Sequence, residues 1–249
     1  MTRDFAYQEQ VGLRLELDAG NTRIKWRAVA IDNSIVAAGS DLNSDIFLAD
    51  QPVWLSRVTP VWVSSVHDDQ SQWLLKKFPT AEFAIAQHEM CGLKNSYVNP
   101  AKMGVDRWLA MLAAWGTEPN HQHIVIDAGT AITLDIIDTN GQHLGGYICP
   151  GFNMMKSTLL SGTSKVRAEE SWVHGRTPGE STQLCVDHGI QDMVLSWIER
   201  HCHAMPGARI WVSGGDGVML CKHLTIEHTL NADLVLDGLA KSFNYMVSN

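Results

Sequence analysis

Three aspartates stand where carboxylate chemistry is most useful. Asp18 and Asp127 each end an apolar run and begin an Asp-Ala-Gly corner, and a threonine follows closely in both, Thr22 and Thr130. Asp106 sits beside Arg107 just after Gly104. A carboxylate at the end of a buried strand is costly to ionise without a partner, and a hydrated cation or a metal-phosphate complex supplies one. The glycines, Gly20 and Gly129, let the backbone turn sharply, so successive turn amides can form a nest for an anion. Asp106-Arg107 pairs a carboxylate that can hold a hydroxyl with a guanidinium that can hold an anion. The chemistry these types suit is binding and transfer of phosphate.

For any one acid the simpler explanation is a turn former or a helix cap. The repeat weakens that explanation: Leu13–Trp26 and Ile124–Leu134 read alike, strand then Asp-Ala-Gly corner then strand, which asks for an internal duplication. Two such hairpins, one in each half of the chain, are expected to face each other across a cleft. The common nucleotide signatures are missing; there is no lysine-bearing P-loop and no G-x-G-x-x-G after a strand. His121, His123, His201 and His203 lack the partner spacing of a zinc site.

The elements that must carry these residues follow from patterning. Leu13–Leu17, Ile24–Ala30 and Ile35–Gly39 read as a three-stranded meander turning at Asp32-Asn33. Pro60–Val66 is a strand, Asp68–Phe78 a helix capped by Asp68 or Asp69 and stopped by Pro79, and Phe83–Ala86 a strand. Cys91–Pro100 reads as loop. Val105, Trp108, Leu109 and Leu112 mark an amphipathic helix that Gly116 should end. In the second half a hairpin turns at Asn140-Gly141, Phe152–Leu160 is helical, and Lys165–Glu180 is charged and aperiodic. Ser181–Cys202 is a long helix, Arg209–Val212 a strand, Ser213–Gly217 a glycine-rich corner, and Leu234–Val247 a last helix. This order suits an α/β protein of two similar lobes.

Composition sets outer bounds. The chain has 249 residues and a formal net charge of -8, which argues against non-specific nucleic-acid binding. The polar stretch 1–12 has no apolar core of a signal peptide, and no run approaches the ~18 apolar residues of a membrane span. Five scattered cysteines fit reduced thiols. A cytoplasmic protein with no membrane or nucleic-acid partner is expected.

Taken in order, these motifs resemble the type III pantothenate kinases of the acetate and sugar kinase, heat-shock protein 70 and actin superfamily. The matching stretches are Asp18–Thr22, Gly104–Arg107, Asp127–Ala131, Gly145–Gly151, Thr182 with Gly189, Ser213–Asp216 and Leu234–Leu239. The polar extension before Leu13 departs from a family that usually starts at the first strand. The resemblance implies two ribonuclease H-like, actin-like lobes, 13–120 and 121–249, with an interlobe cleft. It implies ATP-dependent phosphorylation of pantothenate, the first step of coenzyme A synthesis, in a homodimer whose active site lies at the subunit interface. It implies that Asp18, Gly20, Asn21, Thr22, Gly129, Thr130, Gly214 and Gly215 bind ATP, with Asp18 also near Mg2+, directly or through water. It also implies that Asp127 lies near a monovalent cation, K+ or NH4+, that Asp106 is the base, and that Tyr97, Gly104, Asp106, Arg107 and the partner subunit's Thr182 hold pantothenate. A loose phosphoryl-transfer transition state needs positioning and charge neutralisation above all, so a divalent cation is expected to be required. Two alternatives are another small-molecule kinase of the superfamily, which needs no Gly-x-Asp-Arg, and a non-catalytic accessory regulator of transcription, which is free to lose the acids.

Overall fold

The computed structural model describes residues 12–42, 55 and 58–248. All of the 1–12 extension but Gly12 lies outside them. The chain divides into two compact units, 1–87 with 101–110 and 235–249, and 88–100 with 111–234. This differs from a single division near residue 120: the last helix belongs with the first unit, and 88–100 with the second.

In the first unit β1 (Leu13–Ala19), β2 (Arg23–Ala30) and β3 (Ile35–Leu42) form the meander. Then β4 (Val58–Ser65) pairs parallel to β1, and β5 (Ala81–Phe83) parallel to β4, giving the order β3-β2-β1-β4-β5. Period-2 alternation sorts the two faces. Leu13, Leu15, Leu17, Ile24, Ala28, Val61 and Val63 form one core, into which Leu74 of helix α1 (Asp68–Lys77) packs. Each fully buried leucine there contributes about 1.5–3 kcal/mol. His67, not an aspartate, is the N-cap of α1 and makes no side-chain cap bond, while Asp68 and Asp69 lie in the first turn, where they complement the helix dipole. The strand read at Phe83–Ala86 falls two residues earlier.

The opposite face of this sheet is polar and closed by its own ion pairs. Buried Glu16 accepts from Arg14 Nε at 2.6 Å and Arg27 Nε at 2.5 Å, and Arg27 reaches Asp237 Oδ1 at 2.7 Å. Asp237 lies on the last helix, which returns to this unit, and Phe243 of that helix stacks on Trp62 at 4.9 Å.

In the second unit a two-stranded ribbon, β6 (Glu89–Met90) with β7 (Leu93–Lys94), replaces part of the expected loop. Helix α2 (Val105–Thr117) begins in the first unit and ends in the second. It is not amphipathic: Trp108, Leu109, Ala110, Met111, Leu112, Ala113 and Ala114 are all buried, so its apolar surface runs all round. Gly116 does not stop it, because the helix continues to Thr117, whose hydroxyl donates to the Ala113 carbonyl at 2.8 Å.

The second sheet repeats the first. The meander β8 (His123–Ala128), β9 (Ala131–Ile137) and β10 (His143–Pro150) is followed by β11 (Arg209–Ser213), parallel to β8, and β12 (Thr229–Leu230), parallel to β11. The order β10-β9-β8-β11-β12 has the same connectivity, strand for strand. Helices α3 (Phe152–Ser161), α4 (Thr182–His203) and α5 (Gly217–His223) belong to this unit, and α6 (Leu234–Ser248) closes the described chain. Ser181 caps α4 through its side chain, accepting from the Leu184 amide. Ile124, Ile126, Leu134, Phe152, Ile190, Val194 and Ile198 lie in this unit's core.

Candidate active site

Asp18 and Asp127 occupy equivalent places in the two sheets. Each lies near the end of the central strand, level with a residue of the hairpin partner and a serine of the parallel neighbour. Asp18 is level with Lys25 and Ser64; Asp127 is level with Thr133 and Ser213. The glycine amide closes each turn, Gly20 donating to the Arg23 carbonyl and Gly129 to the Ala131 carbonyl, each at 3.0 Å, so the first turn is one residue longer than the second. Asn21 and Thr22 are exposed at the tip of the first turn, and Thr130 is exposed in the second.

In the second unit two further corners meet the Asp127 turn, Gly151 and the glycine-rich Ser213–Gly217. The Gly151 amide donates to the Thr130 carbonyl at 2.9 Å, and the Asp216 amide to the Ala128 carbonyl at 2.8 Å. Gly214 has φ +89°, and a Cβ on it would overlap the Ala128 carbonyl and the Asp127 carboxylate. Only glycine meets both demands there. Gly215 beside it has open space where a Cβ would stand. Asp216 precedes the short helix α5, and burial pushes its carboxyl above the usual carboxylate range.

In the first unit Gly104 precedes α2 and its carbonyl accepts from the Trp108 amide at 3.2 Å. The Asp106 carboxylate turns back over the helix start: its Oδ1 accepts from the Arg107 amide at 2.8 Å and lies 2.6 Å from where a Gly104 Cβ would be. Arg107 is buried. Gly104-Val105-Asp106-Arg107 is thus one local device, with glycine vacating the space that the carboxylate fills.

Tyr97 lies in the second unit, on the loop between β7 and the turn Pro100–Lys102, and its amide donates to Asn95 Oδ1 at 2.9 Å. Thr182 is the first residue of α4 and lines an open groove of about 430 Å3 with Val186, Gly189, Ile190 and Met193.

The fit to a divalent cation can be tested at Asp18. Ser64 is fully buried and its hydroxyl has no hydrogen-bond partner among the described residues, yet it is level with Asp18 on the next strand. A carboxylate and an orphaned hydroxyl are hard oxygen donors of the kind Mg2+ takes. No cluster of three or more His, Cys, Asp or Glu that could hold a metal occurs among the described residues, so most of the ligands would be phosphate oxygens and water. Ser64 is a candidate outside the motifs, and Asp216 lies in a matching stretch without being assigned a role there. The sequence signal for Ser64 is a second repeat, Trp62-Val63-Ser64 and Trp211-Val212-Ser213, which marks the parallel strand beside each aspartate.

A doubled sheet of this connectivity, with an Asp-x-Gly turn ending each central strand, defines the ribonuclease H-like, actin-like class that includes sugar kinases. The solved structure of a Baf-family protein from Campylobacter jejuni matches with a TM-score of 0.63 at 21% identity, covering 94% of this chain and 100% of that one. A Sinorhizobium meliloti protein described as a 2-dehydro-3-deoxygalactonokinase matches with a TM-score of 0.60 at 11% identity, covering 94% and 99%. Sequence narrows the class. The family model for type III pantothenate kinase matches residues 14–204. The type III pantothenate kinase of Marinobacter nauticus is 34% identical over 236 residues, spanning 91% of this chain and 96% of the relative. The chain belongs to the type III pantothenate kinase family. No helix among the described residues is long and apolar enough to cross a membrane.

Proposed function

We propose that this chain transfers the terminal phosphoryl group of ATP to the primary hydroxyl of pantothenate, the first step of coenzyme A synthesis, in the cytoplasm. The observation that carries the reading is the matched pair of Asp-x-Gly turns, at Asp18 and Asp127, in a chain of this family.

In this reading the amides and hydroxyls of Gly20–Thr22 and of Gly129-Thr130 bind the phosphates, as turn amides bind anions. The Gly214-Gly215 corner accepts the adenosine, where the open space over Gly215 gives room. Asp18, with Ser64 beside it, would hold Mg2+, and Asp127 a monovalent cation, K+ or NH4+. Bound cations would neutralise phosphate charge during transfer.

Asp106 supplies the acceptor chemistry. An alcohol is too weak an acid for a carboxylate to ionise beforehand, so Asp106 orients the hydroxyl and takes its proton late in the transfer. The Arg107 amide, donating to Oδ1, fixes the orientation of this carboxylate at the start of α2. Arg107, buried next to it in sequence, would give its guanidinium to the pantothenate carboxylate, and Gly104 and Tyr97 are the further residues the resemblance assigns to this substrate. A homodimer completes the pocket with the partner subunit's Thr182. The apolar groove at Thr182 and the exposed side chains of Tyr147, Ile148 and Met193 support that assembly.

The test is ADP release by the purified chain with pantothenate and Mg-ATP. Release should depend on pantothenate, stop on chelation of Mg2+, and rise when Na+ is replaced by K+ or NH4+. A folded protein that releases ADP equally with an unrelated alcohol, or not at all, overturns the reading.

A further inference from the structure

We propose that His143 and Asp135 form a buried positioning pair that, through Ser96, fixes the loop carrying Tyr97 and so sets the affinity for pantothenate. The proposal rests on the reading that Tyr97 lines the pantothenate pocket.

His143 and Asp135 are each about 1% exposed. Two such groups in a core need partners, and they find one another: His143 Nε2 lies 3.0 Å from Asp135 Oδ1. An ionised carboxylate only accepts, so Nε2 carries the ring proton. The other nitrogen of the neutral ring is then an acceptor. Ser96 Oγ lies 2.9 Å from Nδ1 and donates to it. The chain Ser96–His143–Asp135 is therefore ordered in one sense, from an exposed hydroxyl to a buried carboxylate.

The backbone is shaped to permit this. The β9–β10 ladder slips between His143 and Gly145, and Gly145 has φ +112°, the mark of a bulge that re-aims the side chains around it. The hairpin turn beside His143 also receives the ribbon that leads into the loop. The Lys94 amide donates to the Gly141 carbonyl at 2.8 Å, and Lys94 pairs with Gln142 in an isolated parallel bridge. Beyond Lys94 the loop leaves this support. Ser96, Val98 and Asn99 are exposed, Val98 at 97%. Ser96 is thus where the core reaches out to the loop, and the Tyr97 ring lies nearly parallel to His143, 6.4 Å between centroids and 23° between planes.

A buried His-Asp pair could serve the fold alone. What speaks for positioning is its outer end, an exposed serine next to the tyrosine assigned to substrate, where a core brace has nothing to stabilise. The variants Ser96→Ala and His143→Gln separate the links. The first removes only the surface hydroxyl. The second keeps an N–H for Asp135 and loses the acceptor for Ser96.

The experiment is steady-state kinetics of both variants and of the double variant, with a thermal melt of each. Each single change should raise the KM for pantothenate about tenfold while the KM for ATP stays within about twofold, the loss expected for one hydrogen bond to the ring. The double variant should be no worse than the more affected single, because both cut one chain. Unchanged KM for pantothenate in both variants overturns the proposal, as does an equal rise in both KM values, which marks general loosening. A wild-type chain that fails to phosphorylate pantothenate overturns the functional reading itself; an active wild type with unmoved variants overturns the positioning pair alone.

Discussion

Gly214 leans so closely on Asp127 that a methyl group on it would overlap the carboxylate, and its φ of +89° is one that side chains resist. The relationship ties the adenosine corner to the cation-binding aspartate in the proposed site. Gly214→Ala should therefore cost about 1–3 kcal/mol of stability from backbone strain alone. It should also raise the KM for ATP, because Asp127 must move to make room. Gly215→Ala is the control. Its Cβ meets nothing within 4 Å and its φ is unrestricted, so the fold should hold. Urea denaturation of both variants and ATP titration of Gly214→Ala check this; equal stability of both would remove the argument.

A second close approach sits at the acceptor end. Asp106 Oδ1 occupies the space of a Gly104 Cβ and accepts from the Arg107 amide. Asp106→Asn keeps the shape and removes the proton acceptor, so kcat should fall by about 10²–10⁴-fold while ATP binding is little changed. Gly104→Ala keeps the acceptor and displaces it. Its kcat should fall by roughly 10²-fold, the loss a misplacement of about 1 Å can cause. Near-normal turnover in Asp106→Asn would remove that residue from the mechanism.

Much of this was legible in the sequence because glycine and aspartate are informative where backbone and charge are constrained. The duplicated meander, the Asn140-Gly141 hairpin and the long helix from about Ser181 follow from local patterns. The failures are instructive in the same terms. The apolar i, i+3, i+4 positions of α2 predict an amphipathic helix, but Ala110, Ala113 and Ala114 are buried too, and small apolar residues do not announce burial. The helix ends at Thr117, one residue beyond Gly116, with the Thr117 hydroxyl donating to the Ala113 carbonyl. The cap of α1 fell to His67 because two adjacent aspartates are as stable in the first turn as at its edge. The link from Ser96 to the His143–Asp135 pair was hidden because it joins residues 47 apart in sequence, and no spacing rule connects them. The return of α6 to the first unit was hidden for the same reason: the Arg27–Asp237 pair spans most of the chain.

The stretch Lys165–Glu180, aperiodic and charged, is held by a buried ion pair. Lys156 Nζ lies 2.8 Å from Asp187 Oδ1, donates to the Ser171 carbonyl at 2.8 Å, and sits over the Trp172 ring at 4.5 Å. Asp187 Oδ2 accepts from the Val173 amide at 2.9 Å. Burial alone would push the Asp187 carboxyl up, yet Lys156 and these donors hold it below the usual carboxylate range. Lys156→Met strands a buried charge and should cost about 3–5 kcal/mol. Lys156→Met with Asp187→Leu should recover part of that loss. Limited trypsin digestion should cut first at Lys165 or Arg167 in the single variant; unchanged digestion would show that other contacts hold the stretch.

His123 makes the fold sensitive to acid. It is fully buried, its Nε2 lies 2.9 Å from the Glu118 carbonyl, and the Trp211 indole donates to its Nδ1 at 3.0 Å. An indole N–H only donates, so Nδ1 must accept and Nε2 must carry the single proton. A second proton on Nδ1 would point at the indole N–H. Burial, the largest cause, pushes the ring's pKa below its usual 6.5, against a smaller upward pull from the Glu118 carbonyl. The sign follows: between the folded pKa and about 6.5 the unfolded chain binds one proton more, so stability is complete above that range and falls as pH drops through it. The loss is at most about 1.4 kcal/mol per pH unit from this ring. His201 and His223 are shifted in the same direction and add to it. His123→Gln keeps a donor for Glu118 and cannot titrate. It should be less stable than the parent at pH 7.5, with the Trp211 indole unsatisfied, and should lose less between pH 7.5 and 5.5. Urea midpoints at those two pH values measure both effects, and an unchanged slope would exclude His123 as a titrating group.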